Sequence, residues 1–338
     1  MNLKDEKYSR YALVREMLQT PEIISSFNPG AVSGFTDKIK KSKGLFLTGE
    51  GSSRIFPAKR AISSLLKKKY SMPVFTDGAT QALEYNLDEM AVFLASNSGQ
   101  TKEVIRLAST LKAKGHNSIY GLTANQGTKL SELASMTHVL SCGKEDAVAA
   151  TKSVVEQALF YDALLRSLSG DKIGNLKEVG AKSEHALTLK IDPSVTEIIR
   201  SAGIIYFAGR NNGVAEELAL KTNEITRKKS AYLEGTFPVH GIEEVMDKNE
   251  VLIWIDPFRQ EIEKFNDCLV KGVGMKIVTV STEPTMFPTI IIPDAGEFNE
   301  YIQLQAGWNI LVETGISLGI NLDKPTRARK VGNEYIPA

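Results

Sequence analysis

The sequence predicts an α/β protein of two tandem doubly wound domains, each a parallel sheet flanked by helices in three αβα layers. Three observations carry this reading. Short, continuously apolar runs of strand length recur along the chain, as expected for strands covered on both faces. Segments of helical periodicity separate them. The whole pattern then comes twice: 47 residues separate Gly49 from Ser96, and 47 separate Gly209 from Asp256. Alternating strand and helix with two such cycles means two parallel sheets with helices on both faces.

The elements follow in order. Residues 1–27 read as an N-terminal helical segment. The first domain, 28–170, holds the strand runs Gly44–Gly49, Ala91–Ser96 and Ser118–Thr123. Val154, Ala158, Tyr161, Leu165 and Leu168 then recur at alternating spacings of four and three, an apolar helix stripe that stops at Ser169-Gly170-Asp171. Residues 171–192 are more polar and connect the halves. The second domain, 193–323, repeats the strand runs as Gly203–Gly209, Val251–Asp256 and Lys276–Ser281. A basic tail, 324–338, closes the chain.

Composition removes several functional classes. With 338 residues, 42% of them hydrophobic, each half has enough material for its own core, so neither disulfide nor metal is needed for folding. Cys142 and Cys268 stand 126 residues apart with no metal-ligand spacing. Forty-one basic residues against 40 acidic ones give a net charge of +1, which argues against a nucleic-acid partner. The triplets Lys67-Lys68-Lys69 and Arg227-Lys228-Lys229 lack interleaved aromatics and read as solvated helix faces. No apolar run approaches the ~18 residues of a membrane span, and the first residues carry no signal-peptide core. The expectation is a cytoplasmic protein with no membrane partner, no metal and no cofactor.

Ligands of doubly wound sheets sit at the carboxyl ends of strands. Two loops there are built for an anion: Gly49-Glu50-Gly51-Ser52-Ser53-Arg54 and Ser96-Asn97-Ser98-Gly99-Gln100-Thr101. Small residues and hydroxyls let N–H and O–H groups converge on a phosphate at a helix N-terminus. Neither loop is followed by the Gly-Lys-Ser/Thr of a nucleotide loop, and Gly49-Glu50-Gly51 lacks the third glycine of a dinucleotide fingerprint. A sugar monophosphate fits better. Such hydroxyls also serve as ordinary helix caps; two loops at adjacent strand ends favour the ligand. In the second half Ile255 leads into Asp256-Pro257-Phe258-Arg259, so only the first half is expected to hold phosphate.

The second loop resembles the Ser-x-Ser-Gly-x-Thr signature of sugar isomerase (SIS) domains. From about Gln19 to Lys330 the chain is similar to the isomerase half of the glutamine–fructose-6-phosphate aminotransferases, the glucosamine-6-phosphate synthases. The resemblance implies two tandem SIS domains, with the sugar phosphate held by Ser52, Ser53, Ser96, Asn97, Ser98 and Thr101. Val148-Ala149-Ala150-Thr151-Lys152 matches the family's Val-Ala-Ser-Thr-Lys, which lines the sugar, with Ala150 in place of the serine. Leu218-Ala219-Leu220-Lys221-Thr222-Asn223-Glu224-Ile225 resembles the family's Gly-Ala-Leu-Lys-Leu-Lys-Glu-Ile. Gly235 to Gly241 resembles Gly-Glu-Leu-Lys-His-Gly, and Asp323 to Lys330 resembles Asp-x-Pro-Arg-Asn-Leu-Ala-Lys. Lys221, Glu224, His240 and Lys330 thereby fall on the family's catalytic positions. No glutaminase domain is expected: Asn2 stands where its nucleophilic cysteine would be.

Taken by themselves these four residues have plain readings. Lys221 and Glu224, three apart on a helix, read as a solvated surface pair. His240, after a Gly-Thr-Phe-Pro loop, reads as structural or exposed, and Lys330 as part of a solvated tail. His116, His138 and His185 have no context that assigns them a role. The resemblance reverses the first four. Aldose–ketose chemistry needs ring opening, which suits a histidine, and a C1/C2 proton shuttle, which suits a carboxylate. It also needs positive charge near the developing oxyanion, and a lysine can form a Schiff base with the open ketose. The resemblance gives Glu224 the shuttle, His240 ring opening, Lys330 the carbonyl end and Lys221 electrostatic support. It implies that His240 enters the site of a neighbouring subunit, so the active unit is a homodimer or larger.

The reaction expected is that of an amino-sugar-6-phosphate deaminase or isomerase, working between glucosamine-6-phosphate and fructose-6-phosphate plus ammonia. A fructosamine (Amadori) 6-phosphate deglycase uses the same groups, galactosamine- or tagatose-type phosphates are further substrates, and a non-catalytic sugar-phosphate sensor is the alternative of another class.

Overall fold

A computed structural model describes residues 1–68, 70–327 and 334–335. It contains two parallel five-stranded sheets flanked by helices, as the repeated pattern predicts. The strands are β1 (Gly44–Gly49), β2 (Val74–Gly78), β3 (Met90–Ala95), β4 (Ile119–Thr123) and β5 (Met136–Val139), then β6 (Ile204–Gly209), β7 (Lys229–Glu234), β8 (Val251–Ile255), β9 (Lys276–Ser281) and β10 (Thr289–Ile291). Helices of nine or more residues among the described ones are α1 (Ile55–Lys68), α2 (Lys102–Ala113), α3 (Lys152–Leu168), α4 (Leu176–Thr188), α5 (Pro193–Ser201), α6 (Val214–Thr226) and α7 (Asn299–Ser317).

Two compact units divide the chain. The first-sheet unit comprises Glu22–Glu145, Ala150–Lys177 and residues 334–335. The second-sheet unit comprises Met1–Pro21, Asp146–Ala149 and residues 178–327. The opening 21 residues, read in sequence as part of an N-terminal helical segment, thus go with the second sheet. The polar connecting segment contains α4.

In the first-sheet unit the strand order is β2-β1-β3-β4-β5, all parallel. Every residue of β1 is buried, and all of β3 except Met90. Alternation along each strand sends side chains to both faces. On one face Phe46, Val92 and Leu94 pack with Val104, Ile105 and Leu111 of α2. On the other, Phe93 stacks on Tyr120 at 4.9 Å between ring centroids, with Phe35 edge-on to Phe160 at 5.2 Å. The predicted stripe of α3 understates that helix, which is buried on all sides from Lys152 to Arg166. Its polar groups are matched inside: Arg60 of α1 donates to Asp162 Oδ2 from Nε at 3.0 Å and Nη2 at 2.8 Å.

The second-sheet unit has the order β10-β9-β8-β6-β7. Trp254 of β8 stacks on Phe265 with centroids 3.8 Å apart, inside a core that includes Leu252, Leu269 and Ile277. Gly307 lets α6 and α7 touch, since a Cβ there would lie 2.4 Å from the Leu218 side chain. No helix among the described residues is long and apolar enough to cross a membrane.

Candidate functional site

The strand order of the first sheet reverses between β1 and β3: β1 is followed by β2 on one side, and β3 by β4 on the other. The loops leaving these two strands therefore part, opening a crevice at the carboxyl edge. Both predicted phosphate loops lie there. Gly49 is demanded by the convergence of the strands, because a Cβ would sit 2.7 Å from the Ala95 carbonyl oxygen. Gly51–Ser53 forms a single 3₁₀ turn that carries Ser52 and Ser53 to the start of α1, with Ser52 buried and Ser53 half-buried. Burial raises the Glu50 carboxyl above its ordinary range, while the Ala79 N–H donates to it at 3.0 Å.

The second loop is held by its own hydroxyls. Ser96, 1% exposed, has its Oγ 2.8 Å from Thr101 Oγ1. Ser98 Oγ accepts from the Gln100 N–H at 3.1 Å, which leaves its O–H free to donate to an anion. Gly99 adopts φ of 65° with the Thr128 side chain 2.4 Å from where a Cβ would stand, so no other residue fits. The twelve-residue α2 begins at Lys102 and aims its N-terminal dipole at this loop.

Asn97 is the loop's anchor. Its carbonyl accepts from Ala124 N at 3.0 Å, Thr123 Oγ1 at 3.1 Å and Asn125 Nδ2 at 2.9 Å. Its own Nδ2 donates at 2.7 Å to Glu145, a wholly buried residue that sequence reasoning passed over. The signal was present: Glu145 stands three residues before the Val148–Lys152 match. Ala150 is half-buried in the same unit. Farther along the chain, the Tyr335 N–H donates to the Gln100 carbonyl at 2.7 Å, and Glu334 pairs with Thr101 in an antiparallel bridge. The predicted catalytic Lys330 lies outside the described residues.

In the second-sheet unit, Lys221 and Glu224 share a face of α6, with Lys221 Nζ 2.7 Å from Glu224 Oε2. The solvated reading fails: Lys221 is fully buried and lies 3.4 Å from a second buried carboxylate, Glu217. Glu224 keeps 23% of its side chain exposed. His240 follows the turn Phe237–Val239 and is exposed, with Lys264 Nζ 3.3 Å from its Nε2. Glu224 and His240 are not brought together within this unit. Asn223, beside Glu224, meets Ser230 at the start of β7, whereas Gly235 N bonds Gly209 O at the carboxyl edge. The length of β7, at ~3.3 Å per residue over six residues, separates the two ends. Val148 is half-buried in the segment 146–149, where Glu16 accepts from the Asp146 and Ala147 N–H groups.

The second sheet has its own switch point, between β6 and β8. Arg210 fills it, pairing with the Asp256 carboxylate at 2.5 Å, donating to the Asp256 carbonyl and lying 4.5 Å over the Phe258 ring. A cavity of about 540 Å³ elsewhere in this unit is lined by Lys7, Tyr8, Arg200 and Glu313. It holds none of the predicted residues, and its Lys7 and Arg200 are matched by Glu313 and Glu197. No cluster of metal-ligating side chains occurs among the described residues.

Comparison with known proteins agrees with this geometry. Residues 38–167 match the family model of the SIS domain. Over 153 residues the chain is 28% identical to the glutamine–fructose-6-phosphate aminotransferase (isomerizing) of Aeropyrum pernix; the match covers 41% of this chain and a quarter, 25%, of that relative. The fold is shared with the C-terminal domain of glucosamine-fructose-6-phosphate aminotransferase from Francisella tularensis, at 18% identity and a TM-score of 0.77, over 95% of this chain and 100% of that one. It is shared too with tagatose-6-phosphate ketose/aldose isomerase from Escherichia coli, at 16% identity and 0.78, over 95% and 98%. Glucosamine-6-phosphate deaminase from Thermotoga maritima aligns at 18% identity and 0.72, over 93% and 98%. The first sheet and its two hydroxyl-rich loops thus lie within the segment that matches the SIS domain model.

Proposed function

We propose that the protein is an enzyme of the phosphosugar isomerase type, acting on a hexose or amino-sugar 6-phosphate, with hydrolytic deamination of glucosamine-6-phosphate as the favoured reaction, in which water enters and fructose-6-phosphate and ammonia leave. One observation carries this reading: two hydroxyl-bearing loops, each leading into a helix, flank the switch point of the first sheet. That arrangement supplies N–H, O–H and dipole to a dianion without fixed cations. The second sheet is, on this reading, a second SIS-type unit whose own anion position is filled by Asp256.

The first-sheet unit then binds the sugar phosphate through Ser52, Ser53, Ser96, Asn97, Ser98 and Thr101, with Ala150 beside the sugar; Val148, read with them in the sequence, belongs to the segment 146–149 of the other unit. The second-sheet unit carries the groups that move protons. Glu224, partly exposed, takes the proton from one of C1 and C2 and returns it to the other. Lys221 holds that carboxylate in place and balances its charge. His240 opens the ring, Lys330 serves the carbonyl end, and no cofactor is needed. The separation of Glu224 from His240 along β7 supports a homo-oligomer in which His240 serves a neighbouring copy. The deaminase and isomerase structures of the same fold support the reaction class.

A panel of glucosamine-6-phosphate, galactosamine-6-phosphate, tagatose-6-phosphate and fructosamine-6-phosphate, assayed for released ammonia, amine and hexose phosphate, tests the reading. Ammonia with fructose-6-phosphate is the expected result. Release of the amine from fructosamine-6-phosphate alone would identify a deglycase, and binding without any turnover a sensor.

A further inference from the structure

We infer that Glu145, held by the start of α3, is the positioning residue of the sugar-phosphate site and acts through Asn97. The inference rests on the phosphate-loop reading above and extends it to a residue that touches no ligand. Glu145 is 0% exposed and sits at the centre of a set of donors. Its Oε1 accepts from Thr151 N at 2.7 Å, Ser153 N at 3.3 Å and Thr151 Oγ1 at 3.4 Å. Its Oε2 accepts from Ser153 Oγ at 2.6 Å and Asn97 Nδ2 at 2.7 Å. One carboxylate thus joins the second phosphate loop to the residue that follows Ala150, on the stretch assigned to the sugar.

A carboxylate is the side chain that can do this, because both of its oxygens accept only. An amide would leave a donor facing a donor whichever way it turned. Its NH₂ would meet the Thr151 and Ser153 N–H groups on one side, or Asn97 Nδ2 on the other. Asn97 would then have to turn its own amide over, reversing the group it presents at the crevice. Its backbone would stay, since Thr123, Ala124 and Asn125 hold the carbonyl. Glu145 therefore keeps Nδ2 of Asn97 on itself and leaves Oδ1 as the end that accepts from a hydroxyl of the sugar, while the loop path is fixed elsewhere.

Calorimetric titration of fructose-6-phosphate and of inorganic phosphate into wild type, Glu145→Gln, Asn97→Ala and the double variant tests this. Glu145→Gln should weaken fructose-6-phosphate binding at least tenfold, and the double variant should bind no more weakly than Asn97→Ala alone. A merely structural role would lower the melting temperature with the folded protein's affinity unchanged, or give losses that add in the double variant; either result overturns the inference. Where Glu145→Gln fails to fold, Ser153→Ala removes only the 2.6 Å donor and should weaken binding about threefold; unchanged affinity there overturns it too. A wild type that binds neither probe overturns the phosphate-loop reading as well, and so separates the two failures.

Discussion

Arg210 and Asp256 close the second sheet's switch point with an ion pair of 2.5 Å, at the position where the first sheet leaves a crevice between its loops. Asp256 reaches this contact from a left-handed backbone, φ 49°, which aspartate and asparagine tolerate better than most residues. On the proposed reading the first switch point keeps room for an anion, whereas the second supplies its own carboxylate. Asp256→Asn keeps the backbone conformation and removes the charge. Because both side chains are about a third or more exposed, the loss should be small, ~0.5–1 kcal/mol in urea unfolding. KM for the phosphosugar should not change; a rise would show that the second crevice takes part in binding.

Ser98→Ala should raise KM and leave kcat nearly unchanged. The hydroxyl's bond to a charged phosphate contributes about 1.5–3 kcal/mol, or roughly ten- to a hundredfold in KM. The Gln100 N–H also loses its acceptor. Steady-state kinetics decide, and an unchanged KM would sink the phosphate assignment of this loop.

Glu224→Gln should abolish turnover with sugar-phosphate affinity retained, since the base goes and the phosphate loops stay. Burial of Lys221 makes the fold a fair concern, but Glu217 still faces that lysine at 3.4 Å. A loss in kcat of a hundredfold or more, measured beside an unchanged dissociation constant for fructose-6-phosphate, is the expected pair of results.

His138 gives a pH signature. It lies half-buried, its ring stacked on Phe160 at 4.8 Å, and burial lowers its pKa from 6.5. The folded state therefore favours the neutral ring, so its contribution is complete above about pH 6.5 and is lost as pH falls through the folded value. Urea midpoints should drop between pH 7 and pH 5, and His138→Phe should drop less over that interval. Equal slopes would remove His138 as the cause.

Inside the first-sheet unit, Asp162→Ala should cost about 3–5 kcal/mol by removing the carboxylate that pairs with the buried Arg60. Replacing both partners with apolar residues should recover much of that loss, as chemical unfolding of the single and double variants would show.

The central strands were readable because of where they lie. Leu45-Phe46-Leu47 and Leu252-Ile253-Trp254 are apolar without interruption, since helices cover both of their faces. The four strands that no apolar run announced, β2, β5, β7 and β10, are the sheet edges. Lys229-Ser230-Ala231-Tyr232 of β7 is half-exposed and carries only a weak pattern. The site divides in a similar way. Hydroxyl loops and the spacing of Lys221 to Glu224 are local and legible. The burial of Lys221 is not, because it comes from packing around α6, nor is the role of Glu145, whose partner Asn97 lies 48 residues away.

The all-round burial of α3 has a kinetic consequence. A helix enclosed from Lys152 to Arg166 has no cheap local opening, so its amides should exchange with solvent only when the whole first-sheet unit unfolds. Glu145 fastens the loop 96–101 to the first turn of that helix, and the loop should inherit the same slow clock. The amides of residues 96–101 should then be among the better protected in a surface loop, already arranged before any ligand arrives.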